Sequence, residues 1–143
     1  MTSHSSSGTQ SAMTHLFDTN AWLRSIERPE ELTSSASSLI LTLGTAPFGL
    51  SAISIYEIGQ KARKGKLALS LPIDRWLAMA LRSNFVRVIP IDAEIAREAN
   101  ELPGEFHGDP ADRLIVATAR RHNLTIITSD RKMRDYADVP TLW

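Results

Sequence analysis

Apolar residues in this chain follow two patterns that alternate along its length, and the alternation predicts a fold class. Short continuous runs, "THLFD" (14–18), "FGLSA" (48–52), "VRVIPI" (86–91) and "LTIIT" (124–128), read as buried strands, and the closing "PTLW" reads as an edge strand. Between them apolar positions recur at helical spacing. Ile73, Trp76, Leu77, Ala80 and Leu81 follow Pro72, a residue suited to a first helical turn. Asp92 is placed to cap a helix using Ile95, Ala96, Ala99 and Leu102, and residues 111–122 form another that stops at Asn123. Residues 30–43 also carry a helical pattern. Strands that alternate with helices favour a parallel sheet covered on both faces. The expected fold is α/β: a single three-layer α/β/α domain around a central, mostly parallel sheet.

No repeat or linker divides the chain, so residues 14–143 are expected to form one domain. Residues 1–13 are Ser-rich without an apolar stretch, which excludes a signal peptide and reads as a disordered or tag-like tail, with Met13 an alternative start. Thr33–Tyr56 carries no charge, but Gly44, Pro47 and Gly49 interrupt it, so a turn around 44–49 is expected and a membrane span is not. Sixteen basic and sixteen acidic residues cancel, so no global field marks a nucleic-acid binder, and any such role must rest on local charge. The absence of cysteine excludes disulfides, thiol nucleophiles and thiolate zinc sites, and fits a reducing, cytoplasmic setting. His4, His15, His107 and His122 show no paired metal spacing, and His107 reads as a loop residue.

Five acids fall where strands end and helices begin. Asp18 closes the first strand in "FDTNAW", Glu57 follows the second in "SAISIYEIGQ", Asp109 and Asp112 precede the helix at 111–122, and Asp130 follows "LTIIT". In an open parallel sheet these places share the carboxyl edge, where ligands bind. Each acid also has a structural explanation. Ser54-Ile-Tyr-Glu57 has the form of a capping box, and Asp109-Pro110-Ala111-Asp112 that of an N-cap, first-turn proline and first-turn acid. Asp130 or Ser129 would cap a terminal helix, and Asp18 would accept backbone bonds in a turn. Magnitudes separate the readings. A cap contributes about 1 kcal/mol, whereas two like charges about 4 Å apart near a surface repel by about 4 kcal/mol. Several carboxylates at one edge therefore cost more than capping returns, unless a divalent cation reverses the sign. All-oxygen ligands suit Mg²⁺ or Mn²⁺.

The blocks "LFDTNAWL", "SAISIYEIGQKARKGKL", "HGDPADRLIVATARRHNLTIITSD" and "VPTLW" resemble PIN-domain ribonucleases, especially the VapC-like toxins of bacterial toxin–antitoxin pairs. The resemblance runs from about residue 14 to the C-terminus, and "DPADRLIVATA" with the later "TSD" is its most specific part. It implies that Asp18, Glu57, Asp112 and Asp130 are the catalytic, metal-binding quartet, holding Mg²⁺ or Mn²⁺ for RNA phosphodiester hydrolysis. Asp112 matches the third acid because it directly precedes "RLIVATA"; Asp109 is then its cap or supporting partner. Asp130 matches the fourth, a role that Asp135 is placed to share. Asn20 and Thr128 match polar positions lining the site. A homodimer, a cognate antitoxin and an RNA substrate are the implied partners, with no membrane.

Lys61, Arg63, Lys64 and Lys66 lie on or just after the Glu57 helix, where they either track an RNA backbone or complement the helix dipole. Arg113 is positioned to pair with a carboxylate. Trp22, Trp76, Tyr56, Leu23 and Ile26 are expected in the core or an interface. Two other function classes remain: a non-catalytic domain whose acids are only caps, and a phospho-receiver domain. The latter needs an acidic pair at the first strand and a lysine after a late one, and "TSD" offers no such lysine before Lys132.

Overall fold

The computed structural model describes residues 12–42, 46–82 and 85–143. Most of the expected N-terminal tail, residues 1–11, position 43 of the expected 30–43 helix and positions 44–45 of the expected 44–49 turn lie outside the described residues. The chain runs β1 (His15–Phe17), α1 (Thr19–Glu27), a 3₁₀ turn (Pro29–Glu31), α2 (Ser34–Thr42), β2 (Phe48–Ser51), α3 (Ala52–Arg63) and α4 (Ile73–Arg82). It continues as β3 (Val86–Ile89), α5 (Ala93–Ala99), α6 (Pro110–His122), β4 (Thr125–Ile127), α7 (Arg131–Arg134) and β5 (Thr141–Leu142). All five strands pair in parallel, in the order β3-β2-β1-β4-β5.

Successive strand residues face opposite sides of the sheet, and this divides the interior into two cores. Leu16 and Ile126 pack with Ile95, Ala99, Ile115, Ala119 and Met133 of α5, α6 and α7. Phe17, Phe48, Leu50 and Ile127 pack with Trp22, Ala36, Ile58 and Trp76 of α1 to α4. These are the three expected layers. Gly49 in β2 lets neighbouring side chains close over this face of the sheet, since a Cβ there would stand 3.0 Å from both Ile89 Cδ1 and Met13 Sδ. The packed chain thus reaches back to Met13.

Local chemistry sets the element ends. Asp92 accepts from Ile95 N at 2.9 Å to start α5, and Asn123 adopts φ 56°, ψ 50° to end α6. The third strand stops at Ile89, short of the expected 91, because Pro90 has no N–H for the ladder. The helical stretch expected over 30–43 is split: Leu32 is extended, and the Thr33 hydroxyl accepts from Ala36 N at 3.1 Å to begin α2 afresh. Trp22 and Trp76 are fully buried edge to face, with centroids 5.1 Å apart. Tyr56, expected in the core or an interface, is 61% exposed and so lies outside the core of this chain. Helix α3 buries Ser54 and Ile58, four apart, and Tyr56 midway between them faces outward. Among the described residues no helix is long and apolar enough to cross a membrane.

Topology decides where a ligand can sit. From β1 the chain moves outward through β2 to β3, then returns to place β4 on the other side of β1. The crevice at the carboxyl ends of β1 and β4 is therefore the switch point of the sheet, the usual binding position in such folds.

With the cores separated by the sheet, Ile58→Val and Ile95→Val should each cost about 0.5–1.5 kcal/mol. Urea unfolding of the double variant should give their sum to within about 0.5 kcal/mol.

Candidate active site

The residues that follow β1 and β4 build the floor of the crevice. Asp18 extends the sheet by donating its N–H to the Ile127 carbonyl at 3.1 Å, and its carboxylate caps α1 by accepting from Ala21 N at 2.7 Å. The second carboxylate oxygen accepts the Thr128 hydroxyl proton. Thr128 Oγ1 in turn accepts from Asp130 N at 3.0 Å, and Asp130 caps α7 by accepting from Lys132 N at 3.2 Å. One buried threonine thus ties two of the acids together.

Glu57 reaches the crevice differently from the sequence expectation. Ser51, not Ser54, caps α3, accepting from Ile53 N at 3.2 Å. Ser54 is buried inside the helix, so no capping box forms and Glu57 stands more than a turn from the helix start. Its carboxylate accepts the Thr19 hydroxyl proton. That commits the one Thr19 proton, so Ser54 Oγ is the donor in the 2.8 Å contact between the two hydroxyls. Asp109 is the N-cap of α6, accepting from Asp112 N at 2.9 Å, and Pro110 occupies the first turn. Asp112, one turn in, is left facing the cleft.

Asp18, Glu57, Asp109, Asp112 and Asp130 line one cleft of about 340 Å³, with Lys61 the one cation among its described lining residues and Asn20, Thr19 and Ser129 completing the wall. Asp18 is 5% exposed, and burial pushes its carboxyl up to about 6; the Thr128 and Ala21 hydrogen bonds oppose the rise and Asp130 adds to it. Burial, then repulsion from Asp109, Asp130, Glu57 and Asp18, pushes the Asp112 carboxyl up to about 7. A divalent cation would relieve both effects, and the donors are the hard oxygens that Mg²⁺ or Mn²⁺ prefers.

His107, expected as an ordinary loop residue, stands at this cleft with Nε2 3.1 Å from Asp112 Oδ2. A donor atom of each of His107, Asp112 and Asp130 fits within 4.8 Å of the others, a spacing a metal ion accepts. The histidine's other nitrogen decides its role: Nδ1 accepts from Asp109 N at 3.3 Å, so in the neutral ring the proton is on Nε2. It therefore turns an N–H, not a lone pair, toward Asp112, out of line for a formed bond. Arg113 does not pair with a carboxylate. Its guanidinium donates to the carbonyls of Ala99 (2.8 Å), Phe106 (2.8 Å) and His107 (3.2 Å), fastening the loop that carries His107 and Asp109.

Of the remaining expected residues, Asn20 is at the cleft wall and Thr128 is buried beneath it. Lys61 lines the cleft, whereas Arg63 and Lys64 are exposed at the end of α3 and Lys66 lines a separate groove with Glu27 and Arg28. Asp135 caps the end of α7 and lines a different cleft with Arg131, Arg134 and Thr141. Thr19, Ser54, Ser129 and His107 were not singled out as site residues from sequence; Thr19 beside Asp18, Ser129 beside Asp130 and His107 two residues before Asp109 were the signals available for three of them.

A family model, the PIN domain, matches residues 16–139. The chain belongs to the PIN-domain family. Ribonuclease VapC22 of Mycobacterium tuberculosis is 35% identical over 108 residues, 76% of this chain and 80% of the relative. Among solved structures, DNA-bound VapBC from Salmonella typhimurium matches with TM-score 0.67 at 20% identity, covering 91% of this chain and 97% of that one. FitAcB from Neisseria gonorrhoeae matches with TM-score 0.64 at 22% identity, covering 90% and 96%. At these identities the structures bear on the fold alone, and they share the α/β architecture of this PIN domain.

In this PIN domain both raised carboxyls start from an ordinary value of 3.8 in the unfolded chain. The folded state therefore binds more protons, and their contribution to stability is lost as pH rises through about 6 and 7. In chelator, Asp112→Asn should raise the midpoint of thermal unfolding at pH 8 by a few degrees, at about 3–5 °C per kcal/mol. The difference from wild type should shrink as pH falls below about 7 and close only as it reaches the unfolded value of 3.8.

Proposed function

We propose that this chain is a metal-dependent endoribonuclease that hydrolyses RNA phosphodiester bonds and acts as the toxin of a toxin–antitoxin pair. The observation that carries this reading is the convergence of Asp18, Glu57, Asp112 and Asp130, from four separate segments, on one cleft at the switch point of the sheet. The likeness to ribonuclease VapC22 supports the substrate class. Names of solved neighbours such as VapBC and a toxin–antitoxin complex from Klebsiella pneumoniae support the partner. A homodimer and a cytoplasmic location belong to the same reading.

Asp18, Glu57, Asp112 and Asp130 would hold Mg²⁺ or Mn²⁺. When bound, such an ion supplies an acidified water and neutralises charge on the scissile phosphate. The chain's own residues orient these ligands. Thr128 fixes one oxygen of Asp18 and leaves the Ala21-bonded side of the carboxylate against α1. Thr19, itself held by Ser54, sets the Glu57 rotamer. His107 sets the side of Asp112 that faces the cleft, through the N–H placed beside Oδ2.

Two rival readings lose their support. Acids serving only as caps do not account for Glu57 or Asp112, neither of which caps a helix. A phospho-receiver sheet has the order 2-1-3-4-5, whereas here β2 separates β1 from β3.

Purified protein incubated with labelled RNA should cleave it with Mg²⁺ or Mn²⁺ and not in chelator. Asp18→Asn and Asp112→Asn should each lower the rate at least about 100-fold. Persistent cleavage in chelator, or full activity in both variants, refutes the proposal.

His107→Ala should weaken Mn²⁺ binding, read by calorimetry, by about 10- to 100-fold, with thermal stability in chelator showing that the fold is retained. Unchanged affinity would remove His107 from the site.

A further inference from the structure

The cations of this chain divide into two groups. Arg24 and Arg28 pair with Glu31, Arg97 with Glu101, Arg120 with Glu98 and Arg121 with Glu94, and Arg113 is engaged by three carbonyls. The other ten, seven of them on α3, just after it, on α4 or on β3, have no such partner among the described residues, and three of the ten share the turn α7. Arg131, Lys132 and Arg134 are all exposed, and among the described residues none has an ion pair or a side-chain hydrogen bond. Met133 alone is buried and anchors the turn to the core, which leaves three neighbouring cations facing solvent.

Their position gives them a use. Arg131 and Arg134, three apart and so on one side of the turn, line a cleft of about 280 Å³ with Thr141 of the edge strand β5 and one carboxylate, Asp135. This basic cleft adjoins the acidic one through the segment 129–131: Ser129 and Asp130 face the first, Arg131 the second. That partition is fixed from below. Arg24 donates to Ser129 Oγ at 3.0 Å, and Thr128 Oγ1 accepts from Asp130 N. Lys61 lines the same acidic cleft from α3, which follows β2 on the other side of β1, with Arg63 and Lys64 exposed after it and, among the described residues, unpaired.

A polyanion brought to five carboxylates is repelled unless its neighbouring phosphates are held outside them. We infer that α7 is a phosphate-binding subsite: Arg131, Arg134 and the Thr141 hydroxyl take a backbone phosphate of single-stranded RNA next to the one in the acidic cleft, while Lys61, Arg63 and Lys64 hold the strand on the other side. Guanidinium groups suit phosphate through paired N–H donors. This rests on the ribonuclease reading and adds the route of the strand to it, from the end of α3, across the cleft, to α7.

The test measures binding apart from cleavage. Full-length protein carrying Asp112→Asn is titrated with fluorescein-labelled single-stranded RNA, and anisotropy is followed from about 50 to 200 mM salt. Adding Arg131→Ala and Arg134→Ala should lower the magnitude of the slope of log K against log salt by about 0.7, the contribution of the one phosphate the subsite holds on a single strand. Arg131→Lys with Arg134→Lys should keep the slope, and Arg97→Ala with Arg121→Ala, on paired cations, should leave it unchanged. Circular dichroism confirms that each variant is folded. An unchanged slope in the α7 alanine variant, while the parent binds RNA, overturns the subsite and leaves the ribonuclease reading standing. If that variant instead loses only a co-purifying protein partner, α7 is a protein contact and the inference is equally overturned. Failure of the parent to bind RNA at any salt overturns both.

Discussion

The conflict at Asp18 organises this molecule. A carboxylate 5% exposed in a crevice of the sheet is unfavourable on its own, and four more carboxylates share the cleft above it. The fold tolerates this because Asp18 is built into the ladder. Its N–H continues the β1–β4 pairing, and its two oxygens receive a helix N-terminus and a threonine hydroxyl. The charge is thereby held in one place, close to a proton affinity at which a cation competes with a proton. The other acids are arranged around that fixed point.

Capping and cation binding are compatible uses of the same side chain. Asp18, Asp109 and Asp130 each satisfy a helix N-terminus with one oxygen, and each lines the cleft. A cap needs one acceptor and a carboxylate offers two. The helix ends also bring partial positive charge to where the acids gather, which offsets some of their repulsion. Glu57 and Asp112 do no capping and are aimed by other means: a hydroxyl relay from Ser54 through Thr19 for one, and a histidine ring on an arginine-fastened loop for the other.

This division explains what was legible in the sequence. The strand–helix alternation, the two tryptophans of the core, the Asp92 and Asp109 caps and the Asn123 stop are consequences of local pattern, and each is visible within a few residues. The five acids were legible as a set because a parallel sheet sends strand ends to one edge. Supports that depend on distant contacts were not. Ser54 looked like a cap for Glu57 because "SIYE" has the spacing, but the helix begins at Ser51, three residues earlier, and frees Ser54 to reach Thr19, 35 positions away. Arg113 beside Asp112 suggested an ion pair, yet its partners are carbonyls of Ala99, Phe106 and His107, whose orientation only the folded loop defines. Leu32 broke a helical pattern by adopting an extended backbone, a choice settled by a new cap at Thr33 rather than by propensity.

The cost of the site is therefore electrostatic rather than conformational. Among the described residues the one non-glycine position with positive φ is Asn123, at the far end of α6, where it ends the helix. No residue of the acidic cleft occupies that region of backbone space. Backbone strain would be relieved by movement, and the ligand geometry would then depend on what is bound. Charge repulsion between carboxylates held on helix caps, a strand end and a buried hydroxyl relay is instead relieved by a proton or a cation, with the frame unchanged. In such a frame the free energy stored in like charges is released by a bound proton, and would be released by a cation, without rearrangement of the frame.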